Sequence, residues 1–94
     1  MIGTTFKEFY EQLYYGSDIE IVYKGENYII TSANCEDGRH NIYVYIYQED
    51  VCGDFLYNEY TEDTEESINN FLNEKIFNNK SFMEIETDIE VISM

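Results

Sequence analysis

The chain has no proline and no tryptophan, five glycines, two cysteines and one histidine in 94 residues. It also has five Lys and Arg, none of them between Arg39 and Lys75. Each shortage excludes something. With no proline and little glycine, the chain is not a flexible linker or a low-complexity tract. Two cysteines make no disulfide framework, since stapled secreted domains usually carry four or more, so Cys35 and Cys52 read as reduced thiols. The longest apolar runs are a few residues, far short of the roughly 20 that a membrane helix needs. Residues 1–17 carry Lys7, Glu8 and Glu11 where a secretory leader would be apolar, which sets the expectation of a cytoplasmic protein.

Groups that do chemistry are equally scarce. His40 lies in the polar stretch Asn34–His40 beside Arg39 and reads as a solvated loop histidine rather than an acid or base. Cys35, His40 and Cys52 lack the close ligand pairs of a zinc site. The segment Glu59–Glu66 has the oxygens for calcium but not the alternating Asp/Asn ligands and central glycine of an EF-hand loop. A carboxylate pair for glycoside chemistry would need a cleft that so small a domain hardly builds. The expectation is a non-enzyme with no catalytic residue, metal or cofactor.

What the chain does have is acid. Twenty Asp and Glu leave a formal charge of −15. Disorder does not follow, because 17% of the residues are aromatic, ten of them Tyr and six Phe, and disordered acidic chains are poor in aromatics. The length fits one small domain, residues 1–94.

Pattern supplies the elements. Thr5 and Glu8 stand at capping-box spacing before Phe6, Phe9, Tyr10 and Leu13, predicting a helix over about 5–15 ended by Gly16. Two alternating segments flank Lys24-Gly25, predicting a hairpin with Tyr23 opposite Glu26, Ile21 opposite Tyr28 and Ile19 opposite Ile30. After a loop turning at Asp37-Gly38, Ile42, Val44 and Ile46 alternate with Tyr43, Tyr45 and Tyr47, and a strand over Asp54–Tyr60 returns beside them. Thr61 or Thr64 caps a second helix with Ile68, Phe71, Leu72 and Ile76 inward, stopped by Asn78-Asn79. Ser81 and Glu84 open a short third helix with Phe82 and Ile85 inward. The tail 88–93 reads as a last strand or a helical extension, with alternation favouring the strand. The fold class is therefore α+β: a three- to four-stranded antiparallel meander, one N-terminal and two C-terminal helices, in two layers.

Two surfaces are candidates for function. Glu49, Asp50, Asp54, Glu59, Glu62, Asp63, Glu65 and Glu66 form a run with no basic residue. Such a run serves solubility alone, or it imitates the phosphate field of a nucleic acid for a basic groove. Tyr43, Tyr45 and Tyr47 form either a second sheet face covered by the terminal segment or by lysine stems, or an open aromatic platform for protein. An acidic platform would repel phosphate, so nucleic acid and anionic membrane are not expected as direct partners.

The segments EIVYKGENYII (20–30), IYVYIY (42–47) and FLNEKIFNNKSFMEIETDIEVI (71–92), with the Asp37-Gly38 loop, resemble a group of small acidic proteins of Firmicutes and their mobile elements. That group shows a Tyr-x-Gly hairpin and a Ser-Leu-x-Glu-Ile helix. Phe82 and Met83 stand where its pattern has Leu and Lys. The resemblance spans most of the chain and implies the fold and a bacterial or phage origin, without an activity.

At the level of size, charge and element order, the chain is also similar to phage-encoded anti-CRISPR inhibitors that mimic DNA. That similarity implies a basic partner, a nucleic-acid-binding effector such as a Cas complex, met by the acidic run. The leading expectation is thus a non-enzymatic inhibitor acting by charge mimicry, as a monomer or weakly associating dimer. The alternative is a bacterial protein-binding or immunity-type module that uses the tyrosine face.

Overall fold

The computed structural model describes residues 1–48 and 51–94, the side chains of 51 and 52 excepted. Helix α1 runs Phe6–Tyr15. The Thr5 hydroxyl accepts the Glu8 backbone N–H at 3.2 Å, but the Glu8 carboxylate takes the Thr4 hydroxyl at 3.0 Å, so the predicted box closes on one side. Strands β1 (Ser17–Tyr23) and β2 (Glu26–Asn34) pair in the predicted register. Lys24 at φ 50° and Gly25 at φ 78° form the turn, both left-handed as a two-residue type I′ hairpin requires.

Strands β3 (His40–Gln48) and β4 (Val51–Thr61) complete the meander. Helix α2 spans Thr64–Asn73, capped by Asp63 rather than by Thr61 or Thr64. The Asp63 carboxylate accepts the Glu66 N–H at 2.9 Å, which a carboxylate at a helix N-terminus does favourably. The helix stops at Glu74, earlier than predicted. Asn78 and Asn79, both at positive φ, instead form a tight turn that bridges Phe77 to Lys80. Helix α3 (Phe82–Ile85) carries the complete capping box of Ser81 and Glu84 and runs into a 3₁₀ turn, Glu86–Asp88.

The tail is a strand, β5 (Glu90–Ser93), lying antiparallel beside β1. Among the described residues the sheet therefore has five strands, ordered β4-β3-β2-β1-β5, rather than the three to four of the expected meander. Ile2 bridges Glu90 on the far side of β5, and Gly3 passes so close that a Cβ there would sit 2.5 Å from the Val91 carbonyl.

Helices α1, α2 and α3 pack on one face of the sheet. Cross-strand rows on that face run Ile19–Ile30–Val44–Tyr57 and Ile21–Tyr28–Ile46. Against them lie Phe9 and Leu13 of α1, Ile68, Phe71 and Leu72 of α2, and Phe77, Phe82 and Ile85. Phe9 stacks on Phe82 with centroids 4.6 Å apart, and Phe71 and Phe77 close the aromatic cluster. Each fully buried aromatic or aliphatic side chain contributes about 1.5–3 kcal/mol through lost water contact. Among the described residues no helix is long and apolar enough to cross a membrane.

Candidate interaction surfaces

His40 is a correction. It is 1% exposed, not solvated, and begins β3 on the inner face in phase with Ile42, Val44 and Ile46. Its Nε2 lies 2.8 Å from the Leu13 carbonyl and its Nδ1 2.8 Å from the Ser67 hydroxyl. A carbonyl only accepts, so Nε2 carries the proton; in the neutral ring Nδ1 then accepts from Ser67. A serine hydroxyl against an imidazole is also the geometry of an activated nucleophile. Here both groups are buried, and the second ring nitrogen holds a helix carbonyl rather than an orienting carboxylate. The pair is structural.

Its role is clear from its neighbours. The last carbonyls of α1 have no partner within the helix. Gln12 O accepts the Gly16 N–H and, at 3.4 Å, the Ser32 hydroxyl; Leu13 O accepts His40; Tyr14 and Tyr15 O accept the Asn34 amide. Three inner-face side chains of β2 and β3 thus cap the C-terminus of α1.

The acidic run is divided by the fold. Glu49 and Asp50 lie outside the described residues. Asp54 sits toward the start of β4, and its distance along the strand to Thr61 is roughly 20 Å. Glu59, Glu62, Asp63, Glu65 and Glu66 converge where β4 ends and α2 begins, joined by a two-residue link, and all are exposed. Burial first, then the nearby Glu65 and, further down, Asp63 raise the Tyr10 hydroxyl above its ordinary range, so this corner borders α1 as well.

The ion pairs among the described residues are Arg39–Asp37 and Lys75–Glu84, and neither touches the run. The backbone N–H and guanidinium of Arg39 hold Asp37 below the usual carboxylate range; the Ser81 N–H and Lys75 do the same for Glu84. Among the described members of the run, Asp63 has a structural duty, as the cap of α2.

The tyrosines occupy the outer face, opposite the helices. Rows there run Asp18–Thr31–Tyr43–Asn58 and Glu20–Ile29–Tyr45–Phe55. Tyr43, Tyr45 and Phe55 form one aromatic cluster with centroids 5.0–6.3 Å apart, and Phe55 is 58% exposed. The terminal strand does not cover them: β5 lies in the plane of the sheet at its other edge. Tyr60, half exposed on the same face, takes the Arg39 guanidinium at 4.7 Å from its ring centroid, a cation–π contact.

Between β4 and α2 lies an open groove of about 650 Å³. Phe55 through Glu59 line one side and Asn69, Asn70, Asn73 and Glu74 the other. Sequence reasoning missed this groove. Its signal was present in the polar stripe Glu66, Asn69, Asn70, Asn73 at helical spacing, opposite the apolar stripe. Burial, with Glu59 and Glu74 adding to it, pushes the Tyr57 hydroxyl up to about 12.

Cys35 is a free, partly buried thiol, and the described residues hold no cluster of His, Cys, Asp and Glu able to bind a metal. No protein-family model matches the chain, and no curated protein or solved structure does.

Proposed function

We propose that this protein is a non-enzymatic inhibitor or interaction protein that binds a basic, nucleic-acid-handling protein through the acidic corner of β4 and α2. One observation carries the reading: Glu59, Glu62, Glu65 and Glu66 are exposed, adjacent along the fold and in no ion pair among the described residues, where the paired cations serve Asp37 and Glu84. An uncompensated field on a rigid corner stands ready for lysines and arginines that otherwise grip phosphate. The setting is the cytoplasm of a bacterium, with a phage or mobile element as carrier and an effector of the Cas type as one such partner. Capture from a bacterial lysate over a salt series tests the idea. The account expects nucleic-acid-binding proteins that elute between about 0.1 and 0.5 M salt and are absent when Glu59, Glu62, Glu65 and Glu66 are all changed to Gln. A captured set indifferent to both salt and these substitutions contradicts it.

A second reading rests on the outer face. The Tyr43–Tyr45–Phe55 cluster lies on the face opposite the helices of the described residues, and tyrosine gives large contact area at low entropic cost. A partner held there would be lost on changing Tyr43, Tyr45 and Tyr47 to Ser, and salt would matter little.

A further inference from the structure

We infer that the free edge of β4 takes an extended, basic segment of the partner as an added strand, seated in the groove against α2; this rests on the basic-partner reading above. Among the described residues β4 is hydrogen-bonded to β3 on one side only, so its other edge presents unpaired backbone donors and acceptors. Five consecutive residues, Phe55–Glu59, line the groove. Consecutive residues of a strand point to opposite faces, so what they share toward the groove is the strand's edge, the element that strand addition uses.

The edge is not uniform. The β3–β4 register shifts near Tyr45, which leaves Tyr57–Thr61 as the regular stretch opposite His40–Val44. An added strand would pair beside Tyr57–Thr61 and stop at the irregularity.

The walls select the occupant. Glu59 and Glu74 place carboxylates in the groove, and Asn73, whose amide N–H₂ donates to the Asn69 carbonyl at 2.8 Å, offers its remaining oxygen as an acceptor. The lining acceptors suit lysine or arginine side chains. On the outer side of the same strand Tyr60 already holds a guanidinium, that of Arg39. A second copy of this chain is a poor occupant: two antiparallel β4 edges paired over Tyr57–Thr61 would set Glu59 of one copy against Glu59 of the other, and opposed like charges destabilise a strand pair.

The test uses a seven-residue peptide of alternating Lys and Val, the same peptide N-methylated at every Val or at every Lys, and an alternating Glu and Val control. All keep the strand shape, and the methylated forms keep the charge. The inference expects the parent peptide to bind at low salt and to slow amide exchange about tenfold at Asn58 and Tyr60, the residues of this stretch whose N–H groups point away from β3. One of the two methylated forms should bind at least about tenfold more weakly, the loss of one to two net hydrogen bonds. The Glu control should not bind, and Glu59→Gln with Glu74→Gln should weaken the parent. If both methylated forms bind like the parent and exchange in β4 does not move, charge alone holds the peptide; the edge inference falls and the basic-partner reading stands. If no basic peptide binds and salt-sensitive capture is also absent, the reading itself falls. Protection of Asn58 and Tyr60 in the protein alone, rising with its concentration, overturns the inference in favour of a second copy.

Discussion

The Ser67 hydroxyl and His40 Nδ1 meet at 2.8 Å across 27 residues of sequence, joining the first turn of α2 to the first residue of β3. Through the other ring nitrogen the contact continues to the Leu13 carbonyl, so one imidazole ties α1, the sheet and α2 together. Ser67→Ala leaves a buried ring nitrogen unpaired and should cost about 1–3 kcal/mol. His40→Ala frees the Leu13 carbonyl and opens a cavity as well, and should cost more. Urea unfolding of both single variants and the double variant checks this. A double variant no worse than His40→Ala marks the pair as coupled.

Asp63 behaves differently from its acidic neighbours. Asp63→Ala should lose about 0.5–2 kcal/mol of stability, and Asp63→Asn, which keeps a cap, much less. Glu62→Gln and Glu65→Gln should leave stability nearly unchanged. For that reason the four substitutions that test partner binding omit Asp63, and thermal unfolding distinguishes the two classes.

Tyr57 gives a pH signature. Its ordinary value is 10.0, and burial with the fields of Glu59 and Glu74 raises it to about 12 in the folded protein. The folded state therefore keeps a proton that the unfolded chain releases. The contribution of Tyr57 to stability is constant below about pH 10 and is lost as pH rises from about 10 to about 12, a range in which Tyr10 and Tyr28, also raised by burial, act in the same direction. Tyr57→Phe should flatten that fall, as read from urea midpoints at pH 8 to 11. An unchanged slope would show that Tyr57 does not carry it.

Much of the fold was legible because local rules agree with the tertiary structure. Lys24-Gly25 marks a two-residue hairpin turn, and with it the whole β1–β2 register. The parity of Ile42, Val44 and Ile46 fixes which face of β3 is buried. Ser81 and Glu84 form the predicted box because both partners lie within one turn. The misreadings share a cause. His40 looked solvated because Arg39 and Asn41 are polar, although it continues the parity of Ile42; its partners Leu13 and Ser67 are distant in sequence and invisible to any window. Asp63 caps the helix because β4 holds Thr61 and the first turn already includes Thr64, which leaves Asp63, extended at φ −107° and ψ 126°, directly before the first helical residue. The groove was missed because it needs β4 and α2 placed side by side. The acidic run was conspicuous in composition, yet only the fold separates Asp54 from the Glu59–Glu66 corner.

Competition for one partner tests the central claim most directly. The basic protein captured by the acidic corner is titrated onto its labelled nucleic acid, with increasing amounts of this protein present. Mimicry predicts that the apparent Kd for nucleic acid rises in proportion to the added protein, without a plateau, and that the variant with Gln at 59, 62, 65 and 66 has no effect. A ternary complex, with nucleic acid and this protein bound together at undiminished affinity, would contradict the account.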